Sequence, residues 1–181
     1  MIKKFSRWLL YKRLGWTADV NVELPEKCMI CLAPHTSNWD FVYSMLYGKA
    51  EGLKSNFLMK KEWFFWPLGP IFRKLGGIPV YRNKKSSMTD NLAETAMRET
   101  FFRLAITPEG TRKANPEWKR GFYYIALKAG IPILLYGLDF ERKLIYCHRS
   151  FVPAGDVEKD MQEIKEYYKD FKGKKPEQFA Y

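Results

Sequence analysis

The stretch Ala33-Pro34-His35-Thr36-Ser37-Asn38-Trp39-Asp40 sets an imidazole and a carboxylate five residues apart beside an apolar run. On one straight α-helix the two side chains would lie about 140° apart, since each residue advances the helix by roughly 100°. They would not meet. With His35 in the last loop position and Thr36-Ser37-Asn38 capping a helix start, Asp40 enters the first turn and can fold back. A carboxylate on one imidazole nitrogen fixes the tautomer and leaves the other nitrogen to take a proton from a hydroxyl. By itself the stretch also admits a plainer reading, a capped helix whose His and Asp are incidental.

The elements that must position these groups follow from periodicity and breakers. Lys27 to Leu32 reads as a strand ended by Pro34, so His35 sits at a strand's C-terminal end, where open α/β sheets place their sites. A helix follows from about Asn38 to Ala50, with Gly52 as its stop. Val20 to Val22 and Asn56 to Lys60 read as strands, and Gly76 to Arg82 as a turn leading into a short strand that ends in Arg82. Ser86 to Phe102 reads as a helix with Asp90, Glu94 and Arg98 on one face. The strand Leu104 to Ile106 runs into the polar turn Thr107-Pro108-Glu109-Gly110-Thr111-Arg112. A helix from Phe122 to Ala129 stops at Gly130, and strands follow at Ile131 to Phe140 and Leu144 to Phe151. Asp156 caps a last helix whose Met161, Ile164, Tyr168 and Phe171 form one apolar stripe. His148 has no carboxylate at matching spacing and reads as a strand histidine.

With 181 residues and 46% hydrophobic content, the chain suits one domain. A net charge of +11 favours an anionic partner. Residues 1 to 16 interleave Lys3, Lys4, Arg7, Lys12 and Arg13 with Phe5, Trp8, Leu9, Leu10, Tyr11 and Trp16. This reads as a basic interfacial helix, or as one packed on the protein's own core with a solvated basic face. The run Glu62 to Phe72, rich in aromatics and broken by Pro and Gly, caps an apolar tunnel, dips into lipid or belongs to the core. No stretch has the roughly 18 consecutive apolar residues of a membrane span. Cys28, Cys31 and Cys147 make no disulfide framework and no zinc spacing; they read as buried strand cysteines in a reducing compartment. No metal site is expected. The charge also admits a basic nucleic-acid-binding domain, but the basic residues are dispersed and no recognition helix or RNA-binding aromatic signature occurs. No GxSxG elbow points to a hydrolase.

In this order the blocks resemble those of the glycerolipid acyltransferases related to 1-acyl-sn-glycerol-3-phosphate acyltransferase. His35 to Asp40 matches HxxxxD, Gly76 to Arg82 matches GxxFIxR, Thr107 to Arg112 matches FPEGTR, and Ile131-Pro132-Ile133 is a weaker fourth block. The resemblance implies transfer of a fatty acyl group from a thioester to a lysophospholipid hydroxyl. His35 would act as general base oriented by Asp40, and Arg82 and Arg112 would grip a phosphate bidentately. Glu109 would position an arginine or the acceptor, with backbone N–H groups near Glu109 and Gly110 facing the oxyanion and Thr111 beside them. Pro79 stands where an aromatic is usual and Thr107 where Phe is, which leaves the acceptor open between 1-acyl-sn-glycerol-3-phosphate and another lysolipid.

The expected fold is α/β, a single-domain mixed sheet flanked by helices, with motif loops at strand C-terminal ends and an amphipathic N-terminal helix. Residues 1–20 are expected to be a membrane-surface helix, 21–173 the acyltransferase domain and 174–181 a flexible tail. Expected partners are the lysophospholipid, acyl carrier protein or coenzyme A as thioester carrier, and an anionic membrane surface, with no nucleic acid and no bound cofactor. The expected place is the cytoplasmic face of a membrane, held peripherally.

Overall fold

The computed structural model describes residues 1–80 and 85–181. Among them are strands β1 (Thr17–Val20), β2 (Lys27–Ala33), β3 (Asn56–Lys60), β4 (Gly77–Val80), β5 (Phe102–Ile106), β6 (Ile133–Asp139), β7 (Leu144–Cys147) and β8 (Ser150–Phe151). The helices are α1 (Ile2–Arg7), α2 (Asn38–Glu51), α3 (Leu68–Lys74), α4 (Lys85–Arg98), α5 (Gly121–Ala129) and α6 (Val157–Tyr167).

Alternation along the central strands dictates the layering. In β2, Met29, Cys31 and Ala33 face one core while Cys28 and Ile30 face the other; in β6, Ile133 and Leu135 oppose Leu134, Tyr136 and Leu138. Strands apolar on both faces must be covered on both. Helices α4, α5 and α6 close the first face with Ala93, Ala96, Phe122, Ile125, Met161 and Ile164. The second is closed by Leu10, Trp16, Tyr47 and Ala50 from the N-terminal segment and α2. The same alternation puts Cys28 and Cys31 in opposite cores, where burial pushes their thiols up to about 11 and about 12. They behave as small apolar groups, as the sequence suggested.

The strands form one sheet in the order β1-β7-β6-β2-β5-β3-β4, with β8 paired to β6. β2 lies between β5 and β6 and is parallel to both, while β7 and β8 run antiparallel to β6. The C-terminal ends of β2, β5, β3 and β4 therefore share one sheet edge.

Several boundaries differ from expectation, each because a long-range contact outweighs local pattern. Thr17–Val20 is a sheet strand pairing with Leu144–Cys147, so the segment expected to be wholly a surface helix contributes to the fold. Trp16 is core, stacked on Tyr43 at 4.4 Å and edge-on to Phe140 at 5.1 Å. The fourth helix ends at Arg98, and Phe102 opens β5. Asp90, on the helix face read from its spacing, pairs with Lys128 of α5 at 2.8 Å, and Arg98 pairs with its neighbour Glu99. The strand read as Leu144 to Phe151 breaks at His148 into β7 and β8. His148 does meet a carboxylate: its Nε2 lies 2.7 Å from Asp19 of β1, a partner 129 residues away that spacing did not offer.

Gly137 of β6 leaves space that Phe171 fills. A Cβ there would stand 2.1 Å from the ring, which is itself packed against Tyr146, Tyr167 and Tyr168 and has nowhere to retreat. Gly137→Ala is therefore expected to destabilise the protein by about 1–3 kcal/mol through overpacking. Urea denaturation checks this, and Phe171→Leu in the same chain should return part of the loss.

Candidate active site

Helix α2 starts directly after the β2 loop, and its start builds the site. Ser37 is the N-cap: its Oγ accepts from Trp39 N–H at 3.0 Å, while Asp40, in the first turn, returns its carboxylate to the Ser37 N–H at 2.8 Å. The same Asp40 oxygen accepts from Thr36 N–H at 2.7 Å and lies 3.1 Å from His35 Nδ1. His35 thus precedes the helix, Asp40 is inside its first turn, and the two side chains are in hydrogen-bond reach. An ionised carboxylate only accepts, so Nδ1 carries the proton and the lone pair resides on Nε2. Asp40 is buried and the His35 side chain remains 20% exposed, enough for a substrate to reach.

The turn after β5 closes on this loop from the neighbouring strand. Register sets Cys31 opposite Ile106, so the chain leaving β5 arrives beside the chain leaving β2. Glu109 is fully buried, and its Oε1 accepts from the His35 backbone N–H at 2.6 Å. Oε2 has no protein partner among the described residues. Burial pushes the Glu109 carboxyl up to about 7, against the His35 N–H that favours its ionised form, with the charge of Asp40 adding to the rise. The Arg112 guanidinium donates to Asn38 Oδ1 on the first turn of α2, which ties the third block to the first. Gly110 sits at φ 65°, and its N–H is engaged by the Thr107 carbonyl at 3.2 Å. That donor is spent within the turn rather than free to face an oxyanion. Thr111 holds the turn locally, its Oγ1 accepting from Lys113 N–H at 3.3 Å.

His35, Asp40, Glu109 and Arg112 are therefore brought together. Arg82, the second expected phosphate grip, lies outside the described residues; β4, which leads to it, ends at Val80 on the same sheet edge. Arg120 is engaged by Glu158 across to α6, with Nη2–Oε2 at 2.9 Å. Sequence reasoning missed the Glu109–His35 contact and the part played by Asn38. The first had no local signal, because its partners are 74 residues apart; the second was present as a capping-cluster residue but without its long-range partner.

At the exit of a parallel strand, a histidine held by a carboxylate thus lies in the loop beside the turn that carries Arg112. The chain belongs to the acyltransferase family, whose model, described as Acyltransferase, matches residues 19–135. Its fold is similar to that of the 1-acyl-sn-glycerophosphate (LPA) acyltransferase PlsC from Thermotoga maritima, with a TM-score of 0.55 and 18% identity, covering 95% of this chain and 80% of that one. No curated protein matches the sequence.

The Glu109 environment predicts a pH signature. A carboxyl raised from 4.5 to about 7 keeps its proton in the folded state after the unfolded chain has lost it. Its contribution to stability is thus complete below about pH 4.5 and is lost as pH rises towards 7. Between pH 5 and 8 the wild type should lose about 2–3 kcal/mol from this group. Glu109→Gln, fixed in the neutral form, should lack that decline in urea midpoints; parallel profiles for the two proteins would contradict it.

Proposed function

We propose that this acyltransferase moves a fatty acyl group from an acyl thioester, carried by acyl carrier protein or coenzyme A, to the hydroxyl of a lysophospholipid. The acceptor we put forward is 1-acyl-sn-glycerol-3-phosphate, giving phosphatidate. The observation that carries the reading is the His35–Asp40 pair at 3.1 Å, with Nε2 left as the base.

Nε2 takes the acceptor hydroxyl proton as the oxygen attacks the thioester carbonyl. The tetrahedral oxyanion collapses, the C–S bond breaks, and the imidazolium returns its proton to the leaving thiolate. An ester and a free thiol result. Asp40 stabilises the imidazolium in between, and no covalent acyl-enzyme or bound cofactor is needed. Arg112, with Arg82, supplies the charge that a phosphate-bearing acceptor would meet.

Access to a lipid substrate is supported by apolar side chains left in solvent. In α1 the inward side buries Ser6, and Leu10 is buried in the helical turn that continues it, while Ile2, Phe5 and Trp8 are exposed. Trp39 and Val42 of α2 are exposed, as are Trp63, Phe65, Trp66 and Ile71. Among the described residues no helix is long and apolar enough to cross a membrane. Aromatic and aliphatic groups beside Lys3, Lys4 and Lys12 suit the surface of an anionic bilayer, on which we place the protein peripherally at the cytoplasmic face.

His35→Ala should lower thiol release from acyl thioester plus lysophospholipid by about 10²- to 10⁴-fold with the fold retained, read by a thiol-reactive dye alongside circular dichroism. Retained turnover would sink the assignment. Arg82→Ala should raise the KM for a phosphate-bearing acceptor more than that for the thioester; equal rises would remove its proposed role.

A further inference from the structure

Residues 172–181 carry none of the blocks and include the segment expected to be a flexible tail, 174–181, yet they lie across both loops of the site. At the near end, Phe140 N–H donates to the Lys172 carbonyl at 2.8 Å and Lys172 N–H to the buried Asp139 carboxylate at 3.2 Å. Gly173 then passes so close to the His35 loop that a Cβ would stand 2.6 Å from Thr36 Oγ1 and 2.7 Å from its Cγ2. Lys175 N–H donates to Thr36 Oγ1 at 3.2 Å, and the Lys174 ammonium rests 4.5 Å from the centre of the Trp39 ring. At the far end Trp118 Nε1 donates to the Ala180 carbonyl at 3.0 Å, and Phe179 packs against the same indole.

Between these two anchors the short turn Pro176–Gln178 presents the Gln178 amide to the site. With its nitrogen turned to the two acceptors in front of it, the amide donates to the Arg112 carbonyl at 2.6 Å and to the Thr36 carbonyl at 3.1 Å. Thr36 follows the histidine directly, and Arg112 is the phosphate-side arginine. A primary amide has two N–H donors, so one side chain satisfies both carbonyls and joins the loops.

We propose that Gln178 is a positioning residue for the acyl transfer, and that residues 173–180 are a brace holding the His35 loop and the Arg112 loop at fixed separation. The proposal rests on the acyltransferase reading above only for its kinetic consequence. The brace is a third tie between the loops, beside Glu109 to His35 and Arg112 to Asn38. It is the one supplied from outside both loops, so it can be removed without altering a group that meets substrate.

Two full-length variants test it. Gln178→Ala removes the donors and the side-chain volume. Gln178→Glu keeps the volume but turns a carboxylate on two carbonyl oxygens, so a role in packing alone would leave it close to wild type. Hydrogen exchange read by mass spectrometry should speed several-fold in peptides covering residues 34–40 and 107–114 of both variants, with β6 unchanged. With acyl carrier protein or coenzyme A thioesters and 1-acyl-sn-glycerol-3-phosphate, kcat/KM for the acceptor should fall about 10-fold in both variants, as expected of small misplacements at a reacting pair. The thioester KM should move less than about twofold, and the thermal midpoint should be little changed. Wild-type kinetics and exchange in Gln178→Glu would overturn the brace. A wild-type protein inactive on every lysophospholipid would instead overturn the reaction, and the exchange measurements would still decide the brace on their own.

Discussion

A single carboxylate oxygen sets the geometry on which the site depends. Asp40 Oδ2 accepts from the backbone N–H groups of Thr36 and Ser37 and faces His35 Nδ1, so the contact that caps α2 is also the contact that orients the imidazole. The first N–H groups of any helix need acceptors, and a negative charge there is favoured by the helix dipole. Because two backbone donors already fix the carboxylate, it meets the histidine in a predetermined position rather than adjusting to it. Helix stability and tautomer choice are thereby one requirement.

The second constraint is the pairing of β2 with β5. These strands are separated by the whole of α2, β3, α3, β4 and α4 in the chain, yet they are adjacent and parallel in the sheet, so their C-terminal loops meet. The Glu109 bond to His35 N–H uses that adjacency to fix the backbone of the histidine as firmly as Asp40 fixes its ring. β4 lies two strands beyond β5, about 10 Å away at ordinary strand spacing. The buried carboxyl of Glu109 beside Asp40 is costly as a charge, and the rise in its proton affinity follows from that cost.

Much of this was legible in the sequence wherever the determining forces are local. Short apolar runs marked β2, β3 and β6; Gly52 and Gly130, at φ 76° and 63°, ended their helices where expected; and the Thr36-Ser37-Asn38 cluster carried the cap. What escaped is what depends on partners far along the chain. Trp16 looked like an interfacial aromatic because nothing nearby reveals Tyr43 and Phe140, and His148 looked isolated because Asp19 is brought to it only by the β1–β7 pairing. The tail was expected to be flexible, whereas its anchors, Asp139, Thr36 and Trp118, belong to three other elements and are visible only in the fold.

Helix α2 also relates the chemistry to the outer surface. Its N-terminus holds the His–Asp pair, its inner side buries Tyr47 and Ala50, and its exposed Trp39 and Val42 stand in the first turns, next to the histidine loop. Helix α1 packs against it: Arg7 bonds Glu51 at the opposite end of α2, leaving Ile2, Phe5 and Trp8 outward. The Arg112 bond to Asn38 joins the turn after β5 to the same end of α2 that carries the exposed Trp39, so the capped end of this helix is where the His35 loop, the Arg112 turn and the apolar surface meet.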